Sequence, residues 1–113
     1  MLLDKSLNSM PRGSLDMLIL RTLQIGSRHG YAIARHLRAA SNAFLQVEEG
    51  TLYPALHRLE RRGLVAAKWG LSEANRRAKY YTLTRAGRKS LQAQTTVWRE
   101  MHRAMDSIMN NTG

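Results

Sequence analysis

Apolar residues recur three or four positions apart in the first third of the chain, which is the spacing of a helix that buries one face. Ser14 is a suitable N-cap for a first predicted helix, and Gly26 ends it. A second helix is predicted from about Tyr31 to Ala40, after a short connection that contains two glycines. The apolar positions that support these two helices are Leu15, Leu18, Ile19, Leu23, Ile33, Ala34 and Leu37.

A third helix is predicted from about Thr51 to Gly63. Glu48 and Glu49 lie near its start, where the positive end of the helix dipole favours negative charge. Pro54 fits the first turn of a helix that begins near Thr51, because first-turn amides have no intrahelical partner. One stripe should pack inward, because leucines recur at i, i+4 and i+7: Leu52, Leu56 and Leu59.

The pattern then changes from helical to extended. The segments 64–69 and 79–83 are apolar or rich in β-prone residues and predict the two strands of a hairpin. The loop between them, GLSEANRRA, combines turn formers with arginines. Tyr80 and Tyr81 alternate across the second strand, so one should pack into the core and the other should face outward. The pattern alone leaves open which of the two is buried.

A final helix is predicted from about Arg85 to about Met109, capped by Thr84. Five apolar residues on it follow a heptad pattern and are called the apolar seam: Leu91, Trp98, Met101, Met105 and Ile108. The seam could fold back on the helices of its own protomer. A two-fold interface between protomers is the favoured interpretation, because a C-terminal helix has little of the same chain left to cover it.

The chain has 113 residues, which predicts a single domain. It carries 18 lysines and arginines against 8 acidic residues, for a net charge of +10, and its isoelectric point is about 11.1. An excess of that size indicates a polyanionic partner, with nucleic acid ahead of an anionic membrane surface. The excess is spread along the chain, so it belongs to the folded body rather than to one cationic tail.

Other features narrow the possible functions. The chain has no cysteine, which excludes disulfides, thiolate zinc sites and cysteine nucleophiles. Its four histidines form no HExxH-type pair and no glycine-rich phosphate loop follows a strand, so we expect no enzyme, catalytic residue, metal or cofactor. No apolar run approaches the roughly 20 residues that span a bilayer, and the first residues do not resemble a secretion signal. A cytoplasmic location without membrane contact is expected.

Three helices, a basic hairpin and a trailing helix follow the order of a winged helix-turn-helix, a mainly α fold with a small β-hairpin. The chain resembles the PadR family of bacterial transcriptional regulators in three segments: GYAIARHL at 30–37, GTLYPALHRLERRGLV at 50–65 and RRAKYYTLTRAG at 76–87. The resemblance covers about residues 12–110. The single short C-terminal helix is similar to that of the small-sized branch, and the LSEANRRAKYY-type wing resembles the PadR-like group found in Acidobacteria.

The resemblance implies a homodimeric repressor with a leader over 1–13, a winged helix-turn-helix DNA-binding domain over 14–84 and a dimerisation helix over 85–113. In such a protein the third helix enters the DNA major groove, the wing contacts the minor groove or the backbone, and the C-terminal helices pair. Several family members bind phenolic or other planar aromatic compounds at or near that interface and then release DNA. The expected partners are an operator in double-stranded DNA, a second copy of the chain and a small aromatic effector.

DNA-contacting residues are predicted in two places. On the third helix they are the small and hydrogen-bonding residues of its first turns, the Tyr–Pro pair that the resembled family places at the groove mouth, and the basic side chains away from the leucine stripe: Gly50, Thr51, Tyr53, Pro54, His57, Arg58 and Arg61. In the wing they are three cations that suit phosphate or minor-groove contact: Arg76, Arg77 and Lys79. The alternative for both sets is a solvated surface.

The two tryptophans have separate expected roles. Trp98, in the middle of the apolar seam, is either interface packing or, as in some of the small PadR regulators that the chain resembles, a platform for flat ligands. Met101 and Met105 would give such a pocket adaptable walls. Trp69 is expected to pack at the hinge between wing and core. The alternative function is a basic winged-helix module that binds partner proteins or nucleic acid without an effector or sequence specificity.

Overall fold

The computed structural model describes residues 13–111, which form four α-helices and a three-stranded antiparallel sheet. The predicted leader, apart from Gly13, lies outside the described residues. In chain order the elements are α1 (Ser14–Ile25), β1 (Arg28–His29), α2 (Gly30–Ala40), α3 (Glu49–Arg61), β2 (Val65–Leu71), β3 (Arg77–Leu83) and α4 (Arg85–Met109). This is the mainly α winged helix-turn-helix with a small sheet that the sequence predicts.

The core forms where α1, α2 and α3 meet the sheet, and the predicted helix stripes supply most of it. Each fully buried aliphatic side chain contributes roughly 1.5–3 kcal/mol to folding by leaving water. The buried apolar residues are Ile19, Leu20, Leu23, Ile33, Leu37, Leu52, Ala55, Leu56, Leu59, Leu64, Val65, Tyr81, Leu83 and Leu91. The stripe predictions for the three helices are therefore confirmed, with Leu15, Leu18 and Ala34 packed at the edge of this cluster.

The predicted hairpin is present, and its strands are longer than predicted. It runs in register from the Val65–Leu83 pair to the Leu71–Arg77 pair. A third strand, β1, lies on the other side of β3, where Arg28 pairs with Tyr81. The sequence predicts only a short connection with two glycines between α1 and α2, without a strand. Two residues are too few to show an alternating pattern, so only pairing with a distant strand makes them a strand.

The pleat of β3 settles which tyrosine is buried. Tyr81 is only 2% exposed and joins the core, whereas Tyr80 lies on the opposite face of the sheet and is half-buried. The Tyr80 hydroxyl donates a hydrogen bond to the Leu71 carbonyl oxygen across the hairpin (2.8 Å).

Two of the predicted helix starts are corrected. Gly13, with φ of 88°, is the N-cap of α1, and Ser14 is its first helical residue, so no side chain caps this helix. Helix α3 begins at Glu49 rather than near Thr51, which puts Pro54 in the second turn. The Gly50 carbonyl oxygen therefore has no i+4 amide donor, because proline lacks the N–H.

The start of α4 is as predicted. The Thr84 hydroxyl oxygen accepts a hydrogen bond from the Gly87 amide (3.0 Å) and donates one to the Gly63 carbonyl oxygen (2.7 Å). This side chain therefore caps the helix and also joins it to the turn after α3.

Only the first part of α4 packs on the body of the protomer. Gly87 and Leu91 are buried, whereas Trp98, Met101 and Met105 are about half exposed, at 47%, 56% and 56%. The assignment of Leu91 to an interface between protomers is wrong, because this side chain is 3% exposed inside its own protomer. The seam starts in the core and continues into solvent because the 25-residue helix is longer than the face of α1 that supports it.

Candidate nucleic-acid interface

The exposed face of α3 carries four residues in one row, which we call the recognition stripe: Gly50, Pro54, His57 and Arg61. At 100° per residue these positions fall within about 60° of one another and opposite the buried leucines. In the described part of the chain, neither the His57 nor the Arg61 side chain has a hydrogen-bond or ion-pair partner. A row with small residues at its N-terminal end and free donors further along has the shape and chemistry that a DNA groove accepts.

Tyr53 lies on one flank of this stripe and is half-buried. Its ring packs so closely on the start of α2 that a Cβ added to Gly30 would lie 2.6 Å from the tyrosine hydroxyl oxygen. Burial, and secondarily the charge of Glu49, raises the pKa of Tyr53, so the hydroxyl stays protonated near neutral pH. The hydroxyl is therefore a neutral donor at the junction of the two helices.

Arg58 and Thr51 lie on the other flank. Arg58 Nη2 donates to Asp16 Oδ1 of α1 (3.1 Å), and the carboxylate is nearly buried while the guanidinium is half exposed. The sequence alone puts Arg58 in one group with His57 and Arg61, because a partner 42 positions earlier leaves no local signal. The ion pair ties α3 to α1 and leaves part of the guanidinium at the surface.

The three cations predicted to act together in the wing lie at two different places in the structure. Arg76 and Arg77 are exposed near the turn, and the Arg77 guanidinium lies 4.4 Å from the centre of the Trp69 ring. Lys79 is instead half-buried at the base of the wing, where its Nζ lies 3.3 Å from Glu60 Oε1 of α3. The wing therefore offers two exposed arginines at its far end, and one lysine that attaches it to α3.

The predicted packing of Trp69 between wing and core is wrong. Its side chain is 55% exposed, and the Arg77 guanidinium lies over its ring. Trp69 lies on the same face of β2 as the buried Val65, because the two are four residues apart, but it lies beyond the part of the hairpin that covers the core.

A further row with two arginines lies on α2, outside the two predicted sets of DNA-contacting residues. Tyr31, Arg35 and Arg38 are exposed at i, i+4 and i+7, and are called the α2 ridge. The Arg35 guanidinium lies 5.4 Å from the centre of the Tyr31 ring. The helical spacing of these residues indicates that they share one face of α2. Only the position of the wing beside α2 puts this face on the same surface as the wing arginines.

His29 joins α2 to the turn of the wing. Its Nδ1 accepts a hydrogen bond from the Ala32 amide (3.1 Å) and so caps α2, and its Nε2 lies 3.4 Å from Glu73 Oε1. Because Nδ1 accepts, the hydrogen of the neutral ring must be on Nε2 and point toward Glu73. The ring edge also packs on Tyr80, with centroids 5.3 Å apart.

An open apolar groove of about 650 Å³ runs between α1, the loop after α2 and α4. Met17, Leu18, Phe44, Leu45 and Trp98 form its apolar walls. The Trp98 ring stacks on His102 at 5.3 Å. Trp98 therefore borders a groove within its own protomer, in addition to belonging to the exposed part of the seam.

Residues 13–111 meet the requirements of neither a metal site nor a membrane-spanning helix. No three histidine or acidic side chains lie close enough there to hold a metal ion. No helix in that range combines the length and hydropathy needed to cross a bilayer.

A winged helix with an exposed recognition stripe on α3 and two exposed arginines on the wing is typical of DNA-binding proteins. The model of the transcriptional regulator PadR-like family matches residues 19–93. The chain therefore belongs to the PadR-like family and is a DNA-binding transcriptional regulator rather than an enzyme. Its assignment to the group found in Acidobacteria stays a prediction.

Similar proteins cover nearly the same length. The chain is 33% identical to an uncharacterised protein of Lysinibacillus sphaericus, in a match that covers 87% of this chain and 90% of that protein. A PadR family transcription regulator of Clostridium difficile is 31% identical with a TM-score of 0.75, covering 87% of this chain and 100% of that one. A transcriptional regulator of Clostridium thermocellum is 30% identical with a TM-score of 0.77, covering 85% and 93%.

Proposed function

We propose that this protein is a cytoplasmic homodimeric repressor that binds an operator with α3 in the major groove and is released by a flat aromatic compound. The observation that carries the proposal is the recognition stripe, an exposed row of two small residues, a histidine and an arginine on a helix whose other face is buried. Such a row can enter the groove without breaking any contact of the fold.

The recognition stripe, its flanks and the wing then have distinct roles at the DNA. Gly50 lets the α3 backbone come close to the DNA, Pro54 offers an apolar contact, and His57 and Arg61 reach base edges. Thr51, Tyr53 and Arg58 lie on the flanks and contact phosphates. Arg76 and Arg77 contact the backbone or minor groove at the end of the wing, and Lys79 keeps the wing attached to α3.

Dimerisation places two such helices on one face of the DNA. The exposed part of the apolar seam, with Trp98, Met101, Met105 and Ile108, would pair with its copy across a two-fold axis. The two α3 helices must then lie about one DNA turn apart, roughly 34 Å, to bind successive major grooves.

The effector would bind beside the same axis. Trp98 and Phe44 offer flat faces and Met17 offers an adaptable wall to a planar ring, which gains dispersion and stacking from each. A ligand at this position would change the spacing of the protomers and therefore of the α3 helices. A coupling of about 1–3 kcal/mol lowers operator affinity roughly five- to 150-fold.

The proposal is tested by footprinting the protein on the DNA upstream of its own gene. Specific sites usually bind about a thousandfold or more above random DNA, so we expect protection of one site and a large preference over its scrambled version. A preference below about tenfold at physiological salt would contradict sequence-specific regulation and favour a winged-helix module without sequence choice.

A set of four variants separates base recognition from phosphate binding. His57→Ala and Arg61→Ala should change the preference among operator variants by roughly 1–3 kcal/mol at the contacted base. Arg76→Ala and Arg77→Ala should weaken binding to all sequences alike and reduce the salt slope by about one unit per lost phosphate contact. Titrations on operator and random duplexes at several salt concentrations measure both effects. Equal losses on both duplexes for all four variants would place the recognition surface elsewhere.

Effector binding is tested by tryptophan fluorescence in a Trp69→Phe background, which leaves Trp98 as the reporter. Planar cationic or phenolic compounds should quench it saturably and release operator DNA, because the ring stacks beside the indole. Trp98→Ala should abolish the release by ligand while leaving the dimer intact. If no compound in a broad panel either quenches or releases DNA, Trp98 serves packing alone.

A further inference from the structure

The turn of the wing holds one acidic residue among cations. Glu73 is the only acidic residue between positions 64 and 84, a segment that also has four lysines and arginines. The turn has a defined shape, because the Ser72 amide donates to the Arg76 carbonyl oxygen and the Asn75 amide donates to the Ser72 carbonyl oxygen, both at 2.8 Å. This shape directs the Glu73 side chain back toward α2.

Both carboxylate oxygens of Glu73 face cationic or donor groups of the neighbouring elements. Oε1 lies 3.4 Å from His29 Nε2, and Oε2 lies 3.8 Å from Arg35 Nη2 on the α2 ridge. Arg76 and Tyr31 line the same cleft of about 430 Å³. A hydrogen bond from its own backbone amide, and next the one with His29, lower the pKa of Glu73, so the group is charged at neutral pH.

The Glu73–Arg35 ion pair contributes little to the stability of the fold. The Glu73 side chain is 74% exposed and that of Arg35 is 59% exposed, and exposed ion pairs of this kind contribute little to stability. The seven paired positions of β2 and β3 already fix the wing. Arg35, by contrast, belongs to the basic surface that the proposed function brings to DNA, where a phosphate offers the same charge and the same kind of acceptor oxygens.

We infer that Glu73 is an internal competitor of DNA phosphate. In the free protein its carboxylate occupies Arg35 and the Nε2 side of His29, and a phosphate must displace it for α2 and the wing to contact the backbone together. Glu73 thereby limits affinity for DNA of any sequence, which keeps a strongly basic protein from remaining on random sites. The inference rests on the proposed function and adds a determinant of affinity to it.

The test is the affinity of Glu73→Gln for a random-sequence duplex at low salt. We expect about two- to fivefold tighter binding than wild type, the range that a broken exposed ion pair allows. The gain should shrink as salt is added, because salt screens the competing pair. If Glu73 instead serves to hold the wing in place, its removal loosens the wing and binding becomes weaker, so unchanged or weaker binding overturns the inference.

Two controls exclude a general charge effect. Glu100→Gln removes the same charge from an exposed position of α4, on the side away from the seam, and should leave the affinity unchanged. In an Arg35→Ala background, Glu73→Gln should have lost most of its effect, because the group for which it competes is gone. A gain that persists in full in that background would mean simple repulsion of the DNA, which also overturns the inference.

The imidazole resonances of His29 give a readout that does not depend on affinity. Adding DNA to the wild-type protein should move them away from their free position, because the carboxylate leaves Nε2. Resonances that stay at their free position in a saturated complex would show that DNA does not displace Glu73. If wild-type protein binds no duplex at all, the proposed function itself fails, which distinguishes the two failures.

Discussion

Replacing Met105 by glutamate should convert the protein into a monomer that no longer shifts operator DNA. Met105 is 56% exposed in the protomer, so the new carboxylate does not disturb the core. In the proposed dimer the same position lies on the two-fold interface, where it would bury an unpaired charge beside its own copy. Such a charge costs roughly 3–5 kcal/mol, which weakens dimerisation at least about a hundredfold.

The matched control is Ser107→Glu. It adds the same charge to the same exposed stretch of α4 but lies about 160° around the helix from Met105. This variant should remain a dimer and bind operator DNA like wild type. Light scattering at micromolar concentration and a mobility shift assay measure the two properties. A Met105→Glu protein that is still dimeric would place the interface on another surface.

Gly87→Ala should destabilise the fold more than any other glycine-to-alanine change in the described residues. A Cβ at this position would collide with the Leu64 carbonyl oxygen and lie 2.6 Å from Leu83 Cδ1. The carbonyl cannot easily retreat, because it accepts the Thr84 amide (3.2 Å) at the junction of wing and α4. Overpacking of this kind costs about 1–3 kcal/mol or more.

Thermal unfolding followed by circular dichroism measures the loss. At about 4–8 °C per kcal/mol for a domain of this size, we expect a fall in Tm of at least several degrees. The control is Gly50→Ala, since nothing lies within 4 Å of a Cβ built there. Alanine within a helix is favoured by about 0.5–1 kcal/mol over glycine, so this variant should be at least as stable as wild type. Equal melting of the two variants would show that α4 shifts without strain.

Much of the fold could be predicted because its signals are local. The leucine stripe of α3 repeats every three or four residues, and burial of Leu52, Leu56 and Leu59 follows from that period alone. Thr84 was identifiable as a cap because a capping side chain acts within three residues of itself. The recognition stripe was predictable for the same reason, as the helix face opposite those leucines.

Two ion pairs determine which cations of the candidate site are free, and no local sequence pattern predicts either of them. Arg58 and Lys79 carry the same charge as Arg61 and Arg76, and nothing in their immediate sequence distinguishes them. Asp16 and Glu60 approach these two cations only because α1 packs against α3 and the wing folds beside it. The structure therefore divides the predicted cations into free side chains and cations paired across elements.

The sequence by itself determined the class of fold, the amphipathic faces of the helices and the position of the basic wing, since each depends on residues close together in the chain. Tertiary structure alone determined which residues of those faces are buried within the protomer and which stay exposed. Leu91, Trp98 and Met105 occupy equivalent positions of one heptad pattern, yet Leu91 is buried in its own protomer and the other two are about half exposed. The difference arises because α4 extends beyond the body it packs on, and the end of that body is set by the packing of the other helices.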